Sequence, residues 1–401
     1  VVRLLKAGPT QDPTMPRITL PGPEGRRETY HLVGEPWQPR PPDRPYSRVV
    51  FSAAHVVARA DAEPQGAGAS AIDWDATMAY RRHLAGLGLG VAEAMDTAQR
   101  GMGLDWPGAL ELIRRTQAEL SGSGVPVFNG CGTDHLEPAA CRTLDDVVTA
   151  YLEQAEAIQR LGGRLIVMAS RALARVARTP DDYLTVYRRV LAAADQPVIL
   201  HWLGEMFDPA LAGYWGSDDL DACRDIALQV IRESRDRVDG IKISLLDKQR
   251  EIDMRRRLPA AVKMYTGDDF NYPELIAGDG HGHSHALLGI FDAIAPAAAH
   301  ALGVLAAGNE ARFLQILAPT VPLSRRIFGA PTRFYKTGVV FLAWLNGHQD
   351  HFVMLGGHQA MRGLPYFADV FRLADAAGLL ADPERAVRRM QHLLALHGFE
   401  A

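Results

Sequence analysis

The sequence predicts an α/β fold, a (β/α)8 TIM barrel with an N-terminal β-hairpin extension and a C-terminal helical segment. Three observations lead there. Eight short apolar runs succeed one another, around Val50, Gly88, Val127, Ile166, Ile199, Ile241, Met264 and Leu287. Amphipathic helical stretches lie between most of them. The early runs recur about every 40 residues, room for strand, loop, helix and loop. An open doubly wound sheet would carry a glycine-rich phosphate loop after its first strand, and Phe51-Ser-Ala-Ala-His offers none.

Each element has its own signal. Residues 1–14 carry Arg3 and Lys6 but no long apolar core, so they are read as an extension without a visible signal peptide. Arg17-Ile-Thr-Leu and Thr29-Tyr-His-Leu-Val flank Gly22, Pro23 and Gly25 and predict a hairpin. Pro36, Pro39, Pro41, Pro42 and Pro45 predict an extended linker, so residues 1–45 form an N-terminal extension. Residues 46–300 are the barrel. Its helices are expected over 73–85, 106–120, 144–161, 179–194 and 217–235, with Asp73, Thr179 and Ser217 as N-caps. The polar stretch 247–257 leaves room for only a short helix after the sixth strand. Residues 301–401 make up the C-terminal segment. From Pro296 the pattern is helical: 297–307, 310–318, 322–328, 333–345, 363–377 and 382–396.

Composition narrows the function. The 401 residues carry a net charge of −4, so nothing attracts a polyanion and no nucleic-acid partner is expected. No apolar run is long enough to span a bilayer, so no membrane partner is expected. Cys131, Cys141 and Cys223 form no paired framework, which fits a reduced, cytoplasmic setting. Only five of the 43 basic residues are lysines: Lys6, Lys242, Lys248, Lys263 and Lys336. A chain that uses arginine wherever a plain cation suffices invites a chemical reason for a lysine inside an apolar run, because lysine can be deprotonated and arginine cannot.

In such a barrel the chemistry sits at the C-terminal ends of the strands. The residues found there are Ser52 and His55; Glu93 and Asp96; Asn129, Asp134 and His135; Arg171; His201 and Glu205; Lys242; and Thr266, Asp268 and Asp269. Lys242 stands between Ile241 and Ile243, so alternation points it to the opposite face from both. A desolvated amine there can attack a carbonyl and form a Schiff base; a lysine paired with a carboxylate is the simpler alternative. Asp134 and His135 can instead cap a helix, His201 can be a core histidine, and Asp268 and Asp269 can hold loops. His281, His283 and His285 can be a solvated loop or, on one side of an extended segment, a metal grip.

Val238-Asp-Gly-Ile-Lys-Ile-Ser resembles the Schiff-base strand of the dihydrodipicolinate synthase / N-acetylneuraminate lyase family of class I aldolases. Pro126-Val-Phe-Asn-Gly-Cys-Gly-Thr-Asp, Gln196-Pro-Val-Ile-Leu-His-Trp, Tyr265-Thr-Gly-Asp-Asp and Ile72-Asp-Trp-Asp look like further segments of that family, in its order, over residues 46–300. The chain looks most like a divergent, uncharacterised branch, a domain of unknown function. The resemblance implies a lyase or hydro-lyase with Lys242 as imine-forming nucleophile and no organic cofactor or metal. Two departures bear on the substrate. His201 stands where the family has a proton-relaying tyrosine. Gly90-Val-Ala-Glu-Ala replaces the hydroxyl-bearing segment that holds a keto-acid carboxylate, and it brings in Glu93.

The expected catalytic residues are therefore Lys242, His201 and Glu93. Ser52, Asn129, Asp134, His135, Thr266 and Asp268 are expected to bind a keto-sugar-like or keto-acid small molecule. Two readings compete. One is a metal-dependent isomerase, epimerase or hydrolase with Glu93, His201, Glu205, His283 and His285 as ligands. The other is a non-catalytic small-molecule-binding barrel. The apolar stretches Val339-Val-Phe-Leu-Ala-Trp and Phe352-Val-Met-Leu predict a homo-oligomer. His348, Asp350 and His351 are expected at the surface or in an interface.

Overall fold

A computed structural model of the chain describes residues 16–22, 26–63 and 71–399. The extension 1–14, Pro23 and Gly25 lie outside the described residues. The hairpin forms as expected: β1 (Arg17–Pro21) pairs antiparallel with β2 (Arg27–His31), Arg17 opposite His31.

The eight apolar runs become eight parallel strands: β3 (Val50–Ala53), β4 (Gly90–Glu93), β5 (Val127–Cys131), β6 (Arg164–Val167), β7 (Val198–Leu203), β8 (Val238–Ser244), β9 (Lys263–Thr266) and β10 (His285–Leu288). They hydrogen-bond in chain order, and β10 closes on β3, so the barrel is complete. Between them run α1 (Trp74–Gly86), α2 (Trp106–Glu119), α3 (Leu144–Arg160), α4 (Arg171–Val176), α5 (Pro180–Ala192), α6 (Leu220–Glu233), α7 (Lys248–Arg257) and α8 (Tyr272–Ala277).

The helix starts follow the capping chemistry. The Asp73 carboxylate accepts the Ala76 N–H, and Thr179 forms a reciprocal capping box with Asp182. Ser217 does not cap α6; Asp219 does, accepting from the Asp221 N–H two residues further on. The strand–helix unit after β6 holds one helix more than expected, α4, which Ser170 starts by accepting the Leu173 N–H. The helix after the sixth strand is short, ten residues, as its polar composition requires.

After β10 come α9 (Ile290–Ala293) and α10 (Ala295–Ala306), which leads into the C-terminal segment with α11 (Glu310–Leu317), α12 (Thr320–Ile327), α13 (Tyr335–Leu345), α14 (Leu364–Ala376) and α15 (Pro383–Leu396). Every residue of α13 is buried, and the Phe352 ring stacks on Trp344 at 5.6 Å. The apolar stretches that predicted an oligomer are thus largely covered within the chain itself and carry no argument for self-association.

The hairpin docks on α14. Asp375 accepts hydrogen bonds from Tyr30 Oη (2.7 Å) and from the Val33 and Gly34 N–H groups (2.8 and 3.2 Å). A Cβ at Gly34 would collide with the Asp375 carbonyl, so only glycine permits this approach. Among the described residues no helix is long and apolar enough to cross a membrane, and the three cysteines are free and buried.

Candidate active site

A barrel strand sends alternate side chains to the lumen and to the helix layer. The burial pattern assigns the two faces. Phe51, Ala53, Ala92, Phe128, Ile166, Ile199, Tyr265 and Leu287 fill the lumen. Val50, Val91, Leu165, Val167, Val198, Leu200, Ile241, Ile243, Met264, Ala286 and Leu288 pack between strands and helices. By this parity His201 and Lys242 face inward, two residues beyond Ile199 and Gly240. They are also direct partners in the β7–β8 ladder.

Lys242 is 8% exposed, and its amine has no hydrogen bond or ion pair among the described residues. Burial lowers its pKa; the charges of Asp269 and Asp96 pull in the opposite direction. Its stem lies over Gly267, where a Cβ would stand 2.7 Å from Lys242 Cε and 2.6 Å from the Ile243 carbonyl. Burial, with the Lys242 charge second, holds the His201 pKa well below the ordinary value, so the imidazole is neutral. Its Nε2 is 3.3 Å from Ser244 Oγ, and its Nδ1 is buried without a partner.

Asp269 follows β9 and accepts the Ile290 N–H at 2.9 Å. Burial pushes its carboxyl up to about 7, against that hydrogen bond and the charge of Lys242. A cavity of ≈ 320 Å³ opens over the loops that follow β4 to β7, and Asp96, Arg171, His201 and Asp208 are among its walls. The Asp96 carboxylate has no partner among the described residues, whereas Arg171 is tied to Asp208.

The structure does not bring all the expected site residues together. Glu93 has the outward parity. It forms a fully buried ion pair with Arg81, whose Nε and Nη2 donate at 2.9 and 2.8 Å, and it accepts from Thr116 Oγ1 and the Ala94 N–H. Ser52 also points outward, its hydroxyl buried without a partner. Asn129 donates to the Arg164 carbonyl at 3.0 Å, on the outer side of the barrel. Thr266 faces α7, where its hydroxyl meets Glu251 and accepts the Asp268 N–H. Asp268 closes its own loop, accepting from the Phe270 and Asn271 N–H groups and from Asn271 Nδ2. Glu93, Ser52, Asn129 and Thr266 lie off the lumen for one reason: proximity to a strand end was used without the inward–outward parity.

Asp134 and His135 do line the cavity. Asp134 is clamped by Arg100 at 2.8 and 2.7 Å and by Gln154 at 2.9 Å. Burial raises its pKa, but the Arg100 charge and these hydrogen bonds outweigh that and hold it low. His135 bridges Glu153 and Gln154, at 2.8 Å each.

The metal-dependent reading required Glu93, His201, Glu205, His283 and His285 to converge. Glu93 is held by Arg81, and His285 opens β10 at the opposite end of the barrel from His201, accepting the Val49 N–H. Among the described residues no cluster of three or more His, Cys, Asp or Glu is placed to hold a metal ion. His348 is half-buried. It lies 4.6 Å from His83, ring to ring, and burial pushes it down to about 3.

Sequence reasoning passed over Asp269 in favour of its neighbour and gave no role to Lys336 on α13. Lys336 is buried, its Nζ donates to the Arg333 carbonyl at 3.1 Å, and burial lowers it to about 8. The scarcity of lysine was a signal for this residue as much as for Lys242.

Comparison with known proteins agrees with this fold. A family model described as "Protein of unknown function (DUF993)" matches residues 18–399. The chain belongs to this family. It is 25% identical over 218 residues, 54% of its length, to a 4-hydroxy-tetrahydrodipicolinate synthase from Thiobacillus denitrificans, and the match spans only 63% of that relative. Among solved structures it resembles YagE from Escherichia coli K12, a prophage protein of the dihydrodipicolinic acid synthase family in complex with pyruvate. The TM-score is 0.64 at 14% identity, with 83% of this chain and 99% of that one covered. It resembles dihydrodipicolinate synthase from Thermotoga maritima equally, with a TM-score of 0.64 at 13% identity, covering 84% and 100%. This DUF993 chain thus shares the barrel fold of the dihydrodipicolinate synthases.

The Glu93–Arg81 pair gives a direct test of its structural role. Glu93→Gln leaves Arg81 buried without its counter-charge and is expected to cost about 3–5 kcal/mol in urea unfolding. A loss below about 1 kcal/mol would show that the pair does not hold the barrel.

Proposed function

We propose that this protein is a Schiff-base-forming lyase of the class I aldolase type, acting on an uncharged, hydroxylated ketone. The observation that carries the reading is Lys242: an unpaired amine inside a closed barrel, with the unpartnered nitrogen of a neutral imidazole on the adjacent strand. The family resemblance and the shared barrel support the reaction class.

The chemistry follows from the amine. Desolvation favours the neutral form, which attacks the ketone carbon. The carbinolamine so formed takes up a proton and loses water, leaving a protonated imine. That cation draws the electron pair of a neighbouring C–H or C–C bond towards nitrogen, giving an enamine. His201 and Asp269 flank Lys242 and serve as proton carriers, one neutral and one poised near pH 7. Protonation of the enamine and hydrolysis of the imine restore the amine.

The charge pattern supports the substrate class. Glu93 is neutralised outside the lumen, so it repels nothing in the cavity. Asp96 takes that place as an unpaired carboxylate in the cavity wall. Arg100 is engaged by Asp134 and Arg171 by Asp208, so among the described residues lining the cavity no free guanidinium offers itself to a substrate carboxylate. Asp96 and the Asp134–His135 edge suit hydroxyl groups.

Borohydride reduction with a panel of hydroxylated ketones and 2-keto acids tests the reading. The expected result is covalent mass at Lys242, abolished in both Lys242→Ala and Lys242→Arg. Trapping or turnover that survives in Lys242→Arg would reduce the residue to a cation and overturn the mechanism. The trapping rate is expected to rise with pH as Lys242 loses its proton. Because the Asp269 charge raises the Lys242 pKa, Asp269→Asn is expected to move that midpoint to lower pH. An unmoved or raised midpoint would contradict the coupling.

A further inference from the structure

The C-terminal segment reaches the mouth of the barrel. Tyr335, the first residue of α13, is buried; its ring stacks on Phe328 (4.4 Å between centroids) and meets Phe207, which follows β7, edge-on at 6.0 Å. Its hydroxyl is 2.8 Å from Thr97 Oγ1, next to the cavity-lining Asp96. The ring lies against Gly289, just past β10, where a Cβ would stand 3.2 Å from Tyr335 Cε2 and 3.1 Å from Phe328 Cζ.

The register relates this contact to Lys242. In the β9–β10 ladder Ala286 pairs with Thr266, and just past the two strands the Gly289 N–H donates to the Asp269 carboxylate. Lys242 rests on Gly267 and Tyr335 on Gly289. The two footholds lie at the same end of adjacent strands, Gly267 one residue past β9 and Gly289 one residue past β10. Asp96 and Asp269, the carboxylates whose charges reach Lys242, act on the Tyr335 hydroxyl as well.

The hydrogen-bond inventory of this pair is incomplete. Two hydroxyls carry two O–H donors. Their mutual bond uses one. The other has no acceptor among the described residues, although both side chains are buried. A buried donor without an acceptor is costly, and native structures seldom leave one idle.

We infer that the Tyr335–Thr97 hydroxyl pair is a substrate-binding subsite supplied by the C-terminal segment, donating a hydrogen bond to a hydroxyl oxygen of a ketone bound at Lys242. The inference rests on the Schiff-base reading and narrows its substrate to ketones hydroxylated near the carbonyl. The acceptor is a neutral oxygen, because Asp96 stands beside the pair. Stacking on Phe328 holds the phenol in place before the ligand arrives.

The test is borohydride trapping at Lys242 with acetone and with dihydroxyacetone, read by mass spectrometry as a ratio of rates. Tyr335→Phe keeps the ring stack and Thr97→Val keeps the volume. In either variant the dihydroxyacetone-to-acetone ratio is expected to fall about three- to tenfold, the effect of one neutral hydrogen bond, with acetone trapping unchanged within about twofold. A ratio that holds in both variants overturns the subsite. So does acetone trapping that falls in step with dihydroxyacetone, which would make the pair structural, or a wild type that traps acetone but not dihydroxyacetone. A wild type that traps neither ketone at Lys242 overturns the Schiff-base reading itself.

Discussion

The desolvation of one amine organises the site. Closing the eight strands excludes water from the lumen, and an ammonium placed there loses hydration that no ion pair among the described residues restores. Asp269 and Asp96 return part of that loss through space, without contact. A salt bridge at hydrogen-bond distance would hold the amine protonated and inert. Gly267 keeps the lysine stem close against β9, and His201, neutral for the same reason of burial, stands on the adjacent strand.

The two-residue period of the strands decides what surrounds this amine, and it also divides what could be read from the sequence. Lys242 was legible because isoleucines on both sides identify its face, and His201 because it stands at a strand end where the resembled family has a proton-relaying tyrosine. Glu93, Asn129 and Thr266 lie at strand ends too, but on the other face. There they serve the barrel–helix layer: an ion pair to α1, a hydrogen bond to the β6 backbone, a contact with α7. Carrying the parity of Lys242 around the barrel would have separated the two sets. Asp268 and Asp269 differ in a way that no pattern shows. One closes its own loop, while the other is fixed by the Ile290 N–H at the end of the next strand.

The C-terminal helices illustrate the same limit over longer range. Their apolar periodicity and capping residues locate them within a few positions. Where they pack depends on contacts between residues far apart in sequence. Ser324 binds the Asp269 carbonyl, Tyr335 binds Thr97, and Asp375 gathers the hairpin through Tyr30, Val33 and Gly34. The largely apolar α13 reads in isolation as a surface seeking a partner. Its partner is the rest of the chain, and its first residue closes over the end of β10.

The central claim is that Lys242 is a desolvated amine whose proton is weakly held. With only five lysines, protein labelled with 13C at the lysine ε-carbon gives an assignable spectrum, the Lys242 resonance being the one lost in Lys242→Arg. The account predicts that this resonance titrates below the ordinary lysine value of 10.5. Titration at or above that value would show a firmly held ammonium and contradict the account.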